Sequence, residues 1–228
     1  MLKAIALVMK KSGLSDARFY QHWREVHAPL VKHIKDARRY VQCHRKPLAL
    51  PGFDHCPYAG VAEIWFDDAA AFAAMAHNPD YLNYAHADEP NFVDCASLEF
   101  LTTQERVFID EIDIRQDTRL TKAIFLLRRR ADLTVTEFQD YWVNGHAPQI
   151  PRDAGILRYV QCHQLPETYA GSTPAYDGVA ELSFADDDAF LAYWNSPRIQ
   201  AIFGADAPRF LDGARCTAFL AAENRVIW

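Results

Sequence analysis

Two histidines lie on the inward-facing stripe of a predicted helix, one in each half of the chain. His27 follows Trp23 by four residues and His146 follows Trp142 by four, a spacing that puts each pair on one helix face. The negative end of the helix dipole favours the imidazolium form, whereas burial favours the neutral ring. Opposing effects of this kind can hold a histidine near neutrality, where general acid–base catalysis is efficient. A core histidine bonded to a backbone carbonyl is the alternative interpretation.

A polar trio recurs in a strand-like segment of each half. Tyr, Gln and His alternate with apolar residues, so the three share one face of a strand. Because buried polar groups need partners, we expect this face and the helix histidine to border one ligand site. The predicted catalytic residues are His27, His146, His44 and His163. The predicted substrate-binding residues are Trp23, Tyr40, Gln42, Trp142, Tyr159 and Gln161.

The composition excludes several classes of partner. A net charge of −6 offers no basic surface for nucleic acid, and no apolar run approaches the roughly 18 residues that span a bilayer. The five cysteines are odd in number and form no C-x-x-C pair, which favours reduced thiols in a cytoplasmic protein over a zinc site. Neither a glycine-rich nucleotide motif nor a serine-nucleophile motif occurs, which argues against nucleotide binding and serine hydrolysis. We expect a site without metal or cofactor.

The chain contains two copies of one sequence. The segment R-Y-V-Q-C-H occurs at 39–44 and again at 158–163, an offset of 158 − 39 = 119 positions. A repeat of this length is the size of a small domain. We therefore predict a first domain at 1–108, an acidic linker at 109–119 and a second domain at 120–228. The copies are expected to form a pseudo-dimer within one chain, and further homodimerisation stays open.

Each copy is predicted to fold in the order strand, helix, strand, strand, helix, strand, which is the ferredoxin-like arrangement. The predicted strands of the first copy are 3–9, 38–46, 58–66 and 96–103. The first helix begins near Ser15, and it should end or bend beside His27 because Pro29 has no N–H to donate. Helices on one face of a sheet leave its other face uncovered, so the two copies should cover each other as an α+β barrel of eight strands.

The ordered motifs of both copies resemble the EthD family. The motifs lie at 19–30, 39–42, 60–63 and 87–94 in the first copy and at 138–148, 177–181 and 205–212 in the second. The resemblance implies a dimeric α+β barrel with a ligand cavity between helices and sheet. Similar fungal domains look like dehydratases or decarboxylases of aromatic polyketide pathways. The wider superfamily includes cofactor-free monooxygenases, polyketide cyclases and haem enzymes.

Three functional hypotheses follow. The first is an enzyme that transforms a small hydrophobic, aromatic or polyketide-like molecule by histidine acid–base chemistry, as a lyase, dehydratase or monooxygenase-like oxidoreductase. The second is a non-catalytic small-molecule-binding accessory protein of a catabolic pathway, and the third is a haem-binding protein. If only one copy of the repeat is active, the first copy is favoured, because Tyr141 and Arg152 replace His22 and His33 in the second copy.

Overall fold

Eight antiparallel strands close into a barrel in the computed structural model, which describes residues 1–48, 50, 52–53 and 55–228. The strands are β1 (Leu2–Val8), β2 (Arg39–Arg45), β3 (Gly60–Phe66), β4 (Glu99–Asp110), β5 (Thr121–Leu127), β6 (Arg158–Gln164), β7 (Gly178–Phe184) and β8 (Thr217–Ile227). The predicted α+β barrel of two ferredoxin-like repeats is confirmed. Part of the predicted loop between β2 and β3 (positions 49, 51 and 54) lies outside the described residues.

The two long strands join the repeats. The strand order around the barrel is β1-β3-β2-β8-β5-β7-β6-β4. β4 pairs first with β1 of its own repeat and then with β6, and β8 pairs in the same way with β5 and then with β2. The last two residues of β4 fall within the segment that the sequence predicts as linker. Each repeat therefore completes the sheet of the other, as expected of a pseudo-dimer.

Helices cover the outside of the barrel. They are α1 (Asp16–His22), α2 (Ala28–Val31), α3 (Ala69–Met75), α4 (His86–Asp88), α5 (Val135–Tyr141), α6 (Asp187–Trp194) and α7 (Pro197–Phe210). The side chains of Ser15 and Thr134 cap α1 and α5 by accepting backbone N–H bonds, as their residue types favour. Among the described residues, no helix has both the length and the apolarity that crossing a membrane would require.

The inner face of the barrel carries charge as well as hydrophobic side chains. One core cluster draws apolar residues from all eight strands. Beside it lies what we call the interior ionic cluster, which consists of Lys3, Glu63, Glu105, Lys122, Glu181, Glu223 and Arg225. Lys122 lies 3.0 Å from Glu63 and 3.2 Å from Glu181. These two glutamates therefore neutralise lysines inside the barrel and do not orient the helix histidines on its outside.

Candidate functional site

A π-helical turn positions each helix histidine. The turns Trp23–His27 and Trp142–His146 follow α1 and α5 directly. In the second repeat, the N–H of Ala147 donates to the carbonyl of Trp142, five residues earlier. Such single-turn widenings of a helix are frequent at functional sites. The sequence predicted that the helix ends or bends here, and the observed change is a wider turn just before the proline.

His146 forms a dyad with Asp206 of α7. Nδ1 of His146 lies 2.6 Å from Oδ2 of Asp206, and both side chains are buried. An ionised carboxylate can only accept, so Nδ1 carries the hydrogen and Nε2 keeps its lone pair. Tyr141 and Gln149 also donate to Asp206, at 2.5 and 2.8 Å. The carboxylate is therefore held in place by three donors.

The charge state of the dyad follows from its surroundings. Burial lowers the pKa of His146, and the contact with Asp206 opposes that effect without cancelling it. Burial by itself would raise the pKa of Asp206, but the hydrogen bonds from Tyr141, His146 and Gln149 bring it below its ordinary value. The resting dyad is thus a neutral imidazole beside a carboxylate, with Nε2 available as a base.

A cavity of about 280 Å³ opens beside this imidazole, between the helices and the sheet of the second repeat. Its lining residues are Phe53, Phe125, Leu127, Trp142, His146, Ile150, Tyr159, Ala180, Leu182, Trp194, Phe203, Ala207, Pro208, Phe210, Leu211, Gly213 and Cys216. Seven of these side chains are aromatic rings of Phe, Trp or Tyr, and none is a lysine, arginine or carboxylate. The lining therefore suits a neutral ring system.

Tyr159 lines the same cavity, and the hydrogen of its hydroxyl has no acceptor among the described residues. Nε2 of Gln161 donates to this hydroxyl at 2.7 Å, and an amide nitrogen can only donate. Tyr159 must therefore accept this bond, and no described residue accepts its own hydrogen. Burial raises the pKa of Tyr159, so the hydroxyl stays protonated. The lining thus includes an acceptor, Nε2 of His146, and a hydroxyl donor, that of Tyr159.

The first repeat contains a corresponding dyad with a longer hydrogen bond. Nδ1 of His27 lies 3.1 Å from Oδ2 of Asp88. The same carboxylate lies 2.9 Å from Nε2 of His22 and accepts from Asn91 at 3.0 Å. Although burial by itself would raise it, the pKa of Asp88 is lowered by the hydrogen bonds from His27, Asn91 and His22. The carboxylate of Asp88 is therefore shared by two imidazoles, those of His22 and His27.

The cavity of the first repeat is small, about 40 Å³. Two of its lining residues are bonded to each other: the hydroxyl of Tyr81 donates to Oε1 of Glu89 at 2.9 Å. Ile199 and Ala207 stand at the corresponding positions of the second repeat and make no such bond. The sequence favoured the first copy on its extra histidines, but the larger cavity is in the second.

The remaining predicted residues divide into two groups. Tyr40 and Trp23 line the small cavity, as Tyr159 and Trp142 line the large one. The predicted residues that contribute to neither lining are Gln42, Gln161, His44 and His163. The two glutamines donate to the carbonyls of Trp23 and Trp142 at 2.7 and 3.0 Å.

The two strand histidines, His44 and His163, contact the side chains of these glutamines. Nε2 of His44 lies 3.1 Å from Oε1 of Gln42, and its ring stacks on Trp23 with centroids 4.6 Å apart. Nε2 of His163 lies 2.9 Å from Oε1 of Gln161. Burial, with a smaller effect of a nearby arginine, lowers the pKa of both histidines to about 3. Both rings are therefore neutral, and they hold the glutamine amides in one orientation.

Sequence reasoning assigned no role to Asp88 or Asp206. An aspartate recurs at matching positions of the two copies, four residues before Phe92 and Phe210. That recurrence was the available signal, but a repeated residue is equally expected of a purely structural role.

The sequence profile of the EthD domain matches residues 11–96 and 130–214, so it covers most of both repeats. A search of curated proteins finds no match.

Solved structures of similar fold cover nearly the whole chain. An anthrone oxidase-like protein is 8% identical, with a TM-score of 0.68 over 98% of this chain and 90% of that one. A proposed monooxygenase of Fusobacterium nucleatum subsp. nucleatum is 8% identical, with a TM-score of 0.59 over 99% and 92%. A variant of chlorite dismutase from Candidatus Nitrospira defluvii is 10% identical, with a TM-score of 0.54 over 99% and 91%. At these identities the likeness shows a shared fold.

Proposed function

Because the chain belongs to the EthD domain family, whose profile matches both repeats, we propose that it is an enzyme that transforms a small neutral aromatic molecule in the cavity of its second repeat. The observation that carries the proposal is the His146–Asp206 dyad beside that cavity. A neutral imidazole held by a carboxylate is suited to general-base catalysis. The first repeat acts mainly as the structural partner that closes the barrel.

The cavity limits the substrate. Its volume of about 280 Å³ is near the lower end of small-molecule pockets, which span roughly 300–1,000 Å³. A carboxylate or phosphate would lose its hydration there without meeting a lysine or arginine among the lining residues. We therefore propose that the substrate is a compact, uncharged ring system that bears a carbonyl or phenol oxygen. Substrates that carry an anionic group rank below it.

The proposed chemistry begins with one proton transfer. Nε2 of His146 takes a proton from a carbon that is conjugated with the substrate carbonyl, either directly beside it or across an aromatic ring, and the electron pair moves onto the carbonyl oxygen. The hydroxyl of Tyr159 donates a hydrogen bond to that oxygen as its charge grows. The resulting enolate can expel a leaving group, as in a dehydratase, or react with dioxygen, as in a monooxygenase. Trp142 and the aromatic lining hold the ring, while Gln161 and His163 position the Tyr159 hydroxyl.

Anthrone is a suitable test compound because it is neutral and tricyclic and carries a ketone opposite an acidic methylene group. Exchange of the methylene hydrogens in D₂O, followed by NMR, reports proton abstraction whatever step comes next. We expect the wild-type chain to accelerate exchange and His146→Gln to lose about 10²-fold or more of that acceleration. The matched control His27→Gln should retain it.

The accessory-protein alternative makes a different prediction for the same variants. A binding protein with this cavity would bind anthrone, and His146→Gln would change the affinity modestly. If the wild type binds anthrone but accelerates neither exchange nor consumption above the His146→Gln variant, the enzyme proposal is wrong and the binding function stands.

A further inference from the structure

One residue of the first repeat contributes to the lining of the large cavity in the second repeat. Among the lining residues that the structure describes, Phe53 alone comes from the first half of the chain. Its ring centroid lies 5.8 Å from that of Phe125 and 6.1 Å from that of Trp194. The angle to Phe125 is 80°, an edge-to-face contact of the kind that aromatic pairs favour. Phe53 is thus packed against two residues of the other repeat.

Two residues, Lys46 and Leu50, attach the segment around Phe53 to the second repeat. Nζ of Lys46 pairs with Asp187 at the start of α6 and donates to Oγ1 of Thr121 at 3.1 Å. Leu50 is 3% exposed and belongs to the core of the second repeat. The N–H of Phe53 then donates to the carbonyl of Leu50 at 2.9 Å, which sets the distance between this anchor and the ring.

The exposure of the lining residues shows where the cavity meets solvent. Trp142 and Phe210, beside His146, are buried. Phe53 and Trp194 keep part of their surface accessible. Phe203, whose ring centroid lies 5.8 Å from that of His146, is also partly accessible, so the cavity meets solvent at more than one place. Phe53 lies at one of these openings, where it bounds the space for a ring system.

The small cavity of the first repeat receives no corresponding side chain within the described residues. All residues that line its small cavity belong to the first half of the chain, within the part that the structure describes. The cross-repeat contribution therefore runs in one direction only, from the β2–β3 loop of the first repeat to the cavity of the second.

From these contacts we infer that Phe53 is a specificity-determining residue of the second-repeat site, contributed by the other repeat, and that it selects ring systems by length. The inference rests on the proposed function, because it assigns the substrate range of the same cavity. A two-ring compound ends near Phe53 and gains contact with it, whereas a three-ring compound presses against it.

The test compares the affinities of full-length variants for 2-naphthol and anthrone, measured by displacement of the neutral fluorescent probe N-phenyl-1-naphthylamine. In Phe53→Ala, we expect 2-naphthol to bind about tenfold more weakly and anthrone to bind equally well or better, so that the affinity ratio changes at least fivefold. Phe72→Ala is the matched control. Phe72 is a partly buried phenylalanine of the first repeat that packs on Phe66 and Phe100, away from the large cavity.

Each outcome has a distinct meaning. An unchanged affinity ratio in Phe53→Ala, with wild-type binding that Ala180→Phe abolishes by filling the cavity, overturns the inference and leaves the proposed function standing. Binding that Ala180→Phe leaves intact places the ligand elsewhere and overturns both. Thermal unfolding of every variant excludes a loss of binding through misfolding, and Phe53→Leu provides a milder truncation if Phe53→Ala is unstable.

Discussion

Oδ2 of Asp206 lies 2.6 Å from Nδ1 of His146, although the two residues are 60 positions apart in sequence. The corresponding distance between Asp88 and His27 is 3.1 Å. Asp206 has His146 as its single imidazole partner among the described residues, whereas Asp88 also contacts His22. The duplicated dyads have therefore diverged, and the more tightly held one lies beside the larger cavity.

Replacing Asp206 by Asn should reverse the tautomer of His146. The amide nitrogen donates to Nδ1, so the ring carries its hydrogen on Nε2 and loses its base. We expect the rate of methylene exchange to fall by roughly 10²–10⁴-fold with little change in affinity. Asp88→Asn is the control and should leave the rate within twofold of wild type. Equal losses in both variants would contradict the assignment of the site to the second repeat.

The rate should depend on pH through His146. Because its pKa is lowered by burial, the neutral base persists below the ordinary histidine pKa of about 6.5. The exchange rate should therefore stay constant from pH 8 to pH 6.5 and fall only at lower pH. Tyr141→Phe removes a donor that weakens the charge of Asp206, so the pKa of His146 should rise and the decline begin at higher pH. A pH–rate profile of both proteins tests this, and an opposite displacement would contradict it.

The free energy of unfolding should decrease as the pH falls from about 6.5 to about 3. His44 and His163 have a pKa of about 3 in the folded chain and an ordinary value of about 6.5 when unfolded. Between these values the unfolded state binds more protons, so stability is complete above pH 6.5 and is lost on acidification. The slope approaches about 1.4 kcal/mol per pH unit for each histidine. Urea unfolding at several pH values should show a shallower slope in the double variant His44→Asn and His163→Asn.

More of the fold than of the candidate site could be predicted from the sequence. The barrel could be predicted from six repeated residues and from the strand and helix periods. Few arrangements of two sheets bury one face of each. The sequence does not say on which face of its strand Glu63 lies, since alternation along a strand does not show which face turns inward until the barrel closes. Asp206 was missed because a contact across 60 residues leaves no local pattern. The role of Gln161 depends on a carbonyl in a π turn, which a helical period of 3.6 residues does not reveal.

The small cavity of the first repeat should open when its internal bond is removed. Tyr81→Ile with Glu89→Ala gives the first repeat the residues of the second at these positions. We expect the stoichiometry of N-phenyl-1-naphthylamine binding to rise from one to two per chain, and stability to fall by about 2 kcal/mol or more from the lost packing. Isothermal titration calorimetry measures the stoichiometry. An unchanged value of one would show that other side chains close this cavity.

Lys122→Met should destabilise the barrel without affecting the site. Lys122 is 4% exposed and pairs with Glu63, Glu181 and Glu223, so its loss leaves buried carboxylates with too few cations. Breaking a buried ion pair of this kind costs about 3–5 kcal/mol. Urea unfolding measures the loss, and adding Glu223→Gln should recover part of it. Anthrone affinity should stay unchanged because the cavity lies on the outer face of the sheet.

The pairing of β2 with β8 has a consequence for biosynthesis. During translation, residues 39–45 leave the ribosome long before residues 221–227, which form their hydrogen-bonded neighbour. Until then the nascent first repeat presents two unsatisfied sheet edges, along β2 and along the far half of β4, and such edges invite association with other chains. The duplication confines this hazard to a single polypeptide, because the neighbour that each edge awaits is attached to it and arrives at a high local concentration.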